Sequence, residues 1–177
     1  MSAGAAGLAA SGLFGGLEPV KAPEVPPAEV GKVIEGQPWN VTVVRSRLVS
    51  ELPSFRLEKP DNRWFAVIAT VEVTAPESRN DFRDVLTVSG VTGLTSEEPD
   101  SIVMLRDSSR VAYLNPNMPE TLAYIWEQDG SAPLPTNVEV TVFQKTYRVN
   151  SLDGHMFWTD DAPRAQLQVP VEDRRAS

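Results

Sequence analysis

One long apolar run, from Trp64 to Thr74, limits the possible folds of this chain more than any other feature. It reads WFAVIATVEVT, is rich in β-branched side chains and contains neither glycine nor proline. Side chains of this type favour extended strands, and a continuous apolar run indicates a strand buried on both faces for much of its length. The run therefore predicts an inner strand in the middle of the core.

Two other segments alternate between apolar and polar residues, which indicates strands with one face toward a core. The first runs from Trp39 to Leu48 and the second from Asn137 to Val149. The side chains expected to share the core face are Trp39, Val41 and Val43 in the first segment, and Val138, Val140 and Val142 in the second.

Shorter strand candidates are separated by turn and loop residues. They are Val85–Gly90, Ile102–Leu105, Val111–Leu114, Thr121–Glu127, Met156–Trp158 and Ala165–Val171, with a short edge strand considered at Phe55–Leu57. Residues 121–127 could be helix or strand by composition, and their aromatic content favours a strand. The segments 102–105 and 111–114 are expected to form a hairpin. About eight to ten strands and no amphipathic helix predict an all-β fold, an immunoglobulin-like antiparallel β-sandwich, with a closed β-barrel as the alternative.

The length of 177 residues suits one domain with a sizeable core. Residues 1–31 form an Ala/Gly-rich leader and a Pro-rich linker, residues 32–172 the sandwich domain, and residues 173–177 a disordered tail. The uncharged stretch 1–17 is either a flexible leader or the end of a membrane anchor whose basic half is not in this sequence.

Composition excludes several classes of function. The net charge of −8, from 24 acidic and 16 basic side chains, argues against a nucleic-acid binder and against docking on anionic lipid through basic residues. The sequence has no cysteine, which removes disulfides, thiolate nucleophiles, zinc–thiolate sites and iron–sulfur clusters. No cofactor is expected.

The sequence shows no catalytic, cofactor or metal motif. His155 is the only histidine, and no Gly-x-Ser-x-Gly segment supplies a nucleophile, so a loop histidine is the better interpretation. The doublets Glu97-Glu98 and Asp160-Asp161 are interpreted as solvated loop charge, because neighbouring residues on a strand point to opposite faces. Calcium binding by carboxylates from several loops stays open.

The four tryptophans allow two interpretations. Trp39, Trp64, Trp126 and Trp158 all lie on predicted strands, where large aromatic side chains most simply fill a core. An exposed row of them would instead indicate stacking on sugar rings.

Residues 31–171 resemble a group of exported or membrane-anchored actinobacterial domains of unknown function with an immunoglobulin-like sandwich. The resemblance lies in the order of four segments: Trp39–Arg47, the loop Pro60-Asp61-Asn62-Arg63, the apolar run, and Leu122–Glu127. Members often carry an N-terminal membrane segment and a Pro-rich spacer, which would match residues 3–27. The group has no catalytic signature, so the resemblance implies no functional residue.

These features predict a non-enzymatic extracytoplasmic domain of a bacterial cell envelope that binds or assembles with another protein. The expected partner is an envelope protein or membrane complex, with no nucleic acid and with membrane contact only through an N-terminal anchor. A carbohydrate or small-molecule binding module is the first alternative. A carboxylate- or metal-dependent hydrolase is the second, and it requires acidic side chains from separate loops to converge in a cleft.

Overall fold

The computed structural model describes residues 24–175 of the chain. Strands make up most of its regular structure, with one short 3₁₀ helix at Phe82–Val85 between the second and third strands. The strands are β1 Trp39–Val49, β2 Arg63–Val73, β3 Leu86–Ser89, β4 Ser101–Met104, β5 Glu120–Gln128, β6 Asn137–Val149 and β7 Met156–Asp173.

The strands form one curled seven-stranded sheet in the order β3-β6-β7-β1-β2-β5-β4. The sheet folds into two layers, β1-β2-β5-β4 and β3-β6-β7, which is the strand arrangement of constant-type immunoglobulin domains. Neighbouring strands are antiparallel except β1 and β7, which pair in parallel through residues 46–48 and 171–173. The immunoglobulin-like sandwich is thus confirmed, and the closed barrel is wrong because β3 and β4 end the sheet as separate edges.

The main core lies between the two layers, and the alternating segments face it as predicted. Residues of both layers are almost completely shielded from solvent. The buried side chains include Trp39, Val41 and Val43 of β1, Trp126 of β5, Val138, Val140 and Val142 of β6, and Leu167 and Val169 of β7.

Strand β2 is buried on both faces, as the apolar run predicts. Its core-facing residues are Phe65, Val67, Ala69, Val71 and Val73, and its outer residues Trp64, Ala66 and Ile68 belong to a second apolar cluster. The loop between β1 and β2 covers that outer face with Leu52, Phe55 and Leu57. The short strand predicted at 55–57 is wrong, because these residues pack their side chains onto the sheet without pairing with its edge.

The predicted hairpin between residues 102–105 and 111–114 is also wrong. Strand β4 pairs with β5 instead, from Ser101 opposite Ile125 to Met104 opposite Leu122. In this region the described structure has a single bridge, between Val103 and Arg110, and Arg110 precedes the second predicted strand. Strand β5 is longer and more deeply buried than β4, and the end of the second predicted strand, Leu114, pairs with Arg79 instead of with β4.

Two segments predicted as separate strands, 156–158 and 165–171, form the single long strand β7. The polar doublet at residues 160–161 therefore lies within a strand and not in a loop. The pairing of β6 with β7 changes register on both sides of residues 143–144, and such irregularities accommodate extra residues in a continuous strand.

Pairing also extends before residue 32, the predicted start of the domain. The backbone N–H of Ala28 donates to the carbonyl of Gln166, and Gln166 donates in turn to Pro26, at 2.9 and 3.0 Å. The leader of residues 1–17 lies outside the described residues. Across 24–175, none of the helical structure has the length and apolar character needed to cross a membrane.

A buried polar cluster holds the start of β2 against the end of β5. The carboxylate of Glu127 accepts hydrogen bonds from the backbone N–H of Glu58 at 2.9 Å and from the side-chain amide of Asn62 at 2.6 Å. Beside it, the guanidinium of Arg63 donates to the side-chain oxygen of Gln128 at 2.8 Å. Arg63 also donates to the carbonyls of Gly130 and Ala132. These bonds compensate the cost of burying two charges.

The outer cluster gives a stability prediction. Phe55 packs edge-on against Trp64, with ring centroids 6.0 Å apart, so Phe55→Ala should lower the free energy of unfolding by about 2 kcal/mol. The matched control is Phe157→Ala, on an exposed part of β7, with an expected change below about 0.5 kcal/mol. Urea denaturation measures both, and equal effects would show that the loop does not stabilise the outer face.

The polar cluster gives a second prediction. Glu127→Gln keeps the shape of the side chain but replaces one carboxylate oxygen with an N–H₂ group, which cannot accept the hydrogen bonds that Glu58 and Asn62 donate. We therefore expect the free energy of unfolding to fall by about 2–3 kcal/mol. Glu97→Gln, in an exposed loop, should change it by less than about 0.5 kcal/mol. A Glu127→Gln protein as stable as the unsubstituted chain in the same denaturation assay would contradict this role.

Candidate protein-binding surface

Strands β6 and β7 continue beyond the rest of the sheet as a two-stranded hairpin, the arm, defined here as residues 146–159. Strand β3 pairs with residues 139–142 of β6, and β1 pairs with residues 171–173 of β7. In the described part of the chain, the two strands of the arm thus pair with each other and with no further strand. Their outer edges are available for contact with another molecule.

A tight turn closes the arm. The backbone N–H of Asn150 donates to the carbonyl of His155 at 2.7 Å, and Gly154 donates to Asn150 at 2.9 Å. Gly154 has φ +74°, a left-handed conformation that glycine adopts without steric cost. The predicted Asp153-Gly154 turn is confirmed. His155 is exposed in this turn, as predicted, and Asp153 accepts a hydrogen bond from its backbone N–H.

The arm exposes large apolar side chains. The exposed fractions are 47% for Tyr147, 61% for Val149, 94% for Leu152, 45% for Met156 and 44% for Phe157. Cross-strand pairing places Val149 opposite Met156 and Tyr147 opposite Trp158 on one face, whereas Phe157 lies on the other face opposite Arg148. The arm is therefore apolar on one face near its tip, and its other face carries Phe157 beside Arg148.

Contacts at the base of the arm fix its position on the sandwich. The indole N–H of Trp158 donates to the carboxylate of Glu77 at 2.8 Å. The guanidinium of Arg79 lies 5.2 Å from the centroid of the Trp158 ring. The ring of Tyr147 also packs against the Trp158 ring, with the two ring centroids 4.8 Å apart. Cation–π and aromatic contacts of this kind stabilise a defined side-chain arrangement. The arm is thus anchored through Trp158.

A charge network lies beneath this base. Asp81 accepts hydrogen bonds from Arg79 at 2.9 Å and forms an ion pair with Lys145 at 3.1 Å, and Lys145 also contacts Asp84 at 2.8 Å. Burial acts to raise the pKa of Asp81, but the hydrogen bonds from Arg79 and Lys145 outweigh it, so the pKa lies below its ordinary value. The charges neutralise one another, which indicates a structural network rather than an acid–base pair.

The residues singled out from the sequence do not converge. Glu97 and Glu98 are exposed in a loop, and the side chains that the structure describes, those of residues 24–159 and 162–175, include no group of three or more acidic or histidine residues suited to a metal ion. Three tryptophans are buried as predicted, and Trp158 is partly buried. The exposed row that would favour sugar stacking is therefore not formed by Trp39, Trp64, Trp126 and Trp158.

The arm is a surface that local sequence patterns do not reveal. Its signal is present, since apolar residues continue to the end of β6 and resume at Met156 after a short polar turn. Their exposure, however, follows from the lengths of other strands. Only four residues of β3 run along β6, so the distal half of β6 extends past its neighbour.

The network at the base predicts a pH dependence. A carboxylate whose folded pKa lies below its ordinary value of 3.8 contributes stability above that pH and loses it as the pH falls further. Asp81→Asn should therefore be less stable than the unsubstituted protein at pH 7, by about 1–2 kcal/mol, and the difference should shrink below about pH 4. Asp61→Asn, in an exposed loop, is the control, and a difference independent of pH would contradict the prediction.

No protein-family model and no curated protein matches this chain. The structure is similar to the crystal structure of an uncharacterized β-sandwich protein from Clostridium difficile 630, with 12% identity and a TM-score of 0.54 over 85% of this chain and 99% of that one. A functionally unknown protein from Listeria monocytogenes EGD-e matches with 10% identity and a TM-score of 0.42 over 80% of this chain and 82% of that one. At 12% identity the first likeness supports the β-sandwich fold alone.

Proposed function

We propose that this chain is a non-enzymatic extracytoplasmic domain of a bacterial cell envelope that binds another envelope protein through its arm. The observation that carries the proposal is the row of exposed apolar side chains on a hairpin that extends beyond the sandwich. Exposed apolar groups of this size, collected on one element, are typical of contact surfaces between proteins.

The presence of exposed apolar side chains on both faces of the arm indicates the shape of the partner. Val149 and Met156 lie on one face, Phe157 on the other, and Leu152 at the tip. A flat partner would cover one face and leave the other in water. An apolar cleft would cover both faces and the tip, so the partner is expected to enclose the end of the arm.

The envelope location and the resemblance to anchored actinobacterial domains are part of the same proposal. They are supported by the uncharged stretch at residues 1–17, followed by prolines at positions 19 and 23, before the pairing of residues 26–28 with β7 begins. A Pro-rich spacer of this type would hold the domain away from the membrane and leave the arm accessible.

Photocrosslinking in the source bacterium tests the proposal. A photoreactive amino acid at position 152 should yield one discrete adduct in the envelope fraction, because Leu152 is 94% exposed at the tip of the arm. The matched control is position 134, since Leu134 is also an exposed apolar residue, at 47%, but lies outside the arm. The same adduct from both positions, or none from position 152, would contradict binding through the arm.

A second variant pair separates binding from folding. The free energies of unfolding of the Leu152→Ser and Leu134→Ser variants should both lie within about 0.5 kcal/mol of that of the unsubstituted chain, as expected for exposed residues. With the photoreactive amino acid moved to position 149, another exposed site on the arm, only Leu152→Ser should lower recovery of the crosslinked partner, by about tenfold or more, as expected for a central contact residue. An adduct recovered only from the cytoplasmic fraction would contradict the envelope location.

A further inference from the structure

A small apolar cavity lies on the outer face of the four-stranded layer, away from the arm. The loop between β1 and β2 forms one wall, the sheet forms the floor, and the loop after β4 closes the far side. The cavity has a volume of about 160 Å³. Its apolar lining includes Leu52, Phe55, Ile68, Val103, Ala123 and Ile125.

Two alanines create the space. Ala66 and Ala123 lie on the outer face of β2 and β5, where their neighbours Ile68 and Ile125 carry much larger side chains. The loop packs against the cluster that contains these residues, with Phe55 edge-on against Trp64, and the cavity lies between the loop and the sheet. An apolar cavity of about 150 Å³ is large enough for benzene, so the body of a ligand here is limited to about six carbons.

A cationic side chain is part of the lining of the cavity. Arg47 lines it, and its Nε contacts the carboxylate of Glu172 at 3.1 Å. Among the described residues, no hydrogen bond occupies the two terminal nitrogens of Arg47, and the side chain is 33% exposed. A guanidinium with free terminal donors is suited to a carboxylate, which it can bind with two parallel hydrogen bonds.

A second arginine strengthens the preference for an anion. Arg45 lies two residues before Arg47 on the same outer face of β1, opposite Ile68, which lines the cavity. Its Nε is buried and has no hydrogen-bond partner in the described structure. The two arginines, with a single carboxylate bound to one of them, give this part of β1 an excess of positive charge.

We propose that this cavity binds a small apolar monocarboxylate of about six carbons. The hydrocarbon body displaces water from the apolar lining, and the carboxylate binds the terminal nitrogens of Arg47. A neutral molecule of the same shape would lack the ionic contact, and an amine would meet the arginines with like charge. This site is independent of the arm and of its protein partner.

Hexanoate is the test probe, with hexan-1-ol as the uncharged control. In a methyl NMR titration of the purified chain, hexanoate should shift the signals of Ala66 and Ala123 and saturate with a Kd at or below about 1 mM. Hexan-1-ol should bind about tenfold more weakly, because it lacks the charge-assisted hydrogen bonds. No shift of the two alanine signals, or equal binding of both probes, would overturn the proposal.

Variants locate the contact with the carboxylate. Arg47→Gln should weaken hexanoate binding about tenfold and leave hexan-1-ol binding unchanged, because only the ionic contact is removed. Arg164→Gln is the matched control, since Arg164 is exposed on β7 and contacts the carbonyl of Glu35. Hexanoate binding that is insensitive to Arg47→Gln, or equally sensitive to Arg164→Gln, would also overturn the assignment.

Discussion

The burial of β2 on both faces is the constraint on which the rest of the structure depends. A strand that is apolar on both faces must be shielded from water on each of them. The facing layer shields the core side of β2, and the loop after β1 shields its outer side. Such a strand is poorly protected against a shift in register, because a slip by one residue still buries apolar side chains. The polar cluster formed by Asn62, Arg63, Glu127 and Gln128 resolves this, since its hydrogen bonds form in only one register of β2 and β5.

The sequence predicted the parts of the fold that follow from local periodicity. The inner strand, the alternating strands at both ends of the chain and the all-β class are confirmed, because side-chain pattern and burial are directly linked there. The hairpin predicted for residues 102–114 was wrong. Two short apolar segments on either side of a polar turn match the sequence pattern of a hairpin even when they do not pair with each other. The choice of β5 as the partner of β4 depends on the layered topology, which no local pattern contains.

The two surfaces proposed to bind other molecules could not be predicted from the sequence, for a similar reason. Tyr147 and Val149 continue an alternating strand, and only the short length of β3 shows that they are exposed. Ala66 and Ala123 look like ordinary small residues in apolar runs, and only the position of the covering loop shows that they leave a cavity. Both surfaces are defined by where a neighbouring segment ends, which is a property of the assembled fold.

The parallel pairing of β1 with β7 has a mechanical consequence. Residues 46–48 run alongside residues 171–173 in the same direction, and Pro27 forms a parallel bridge with Gln166. A force that pulls the two ends of the domain apart acts along these strands in opposite directions. It therefore loads their hydrogen bonds together in shear instead of opening them one after another. A domain built in this way resists stretching between its ends.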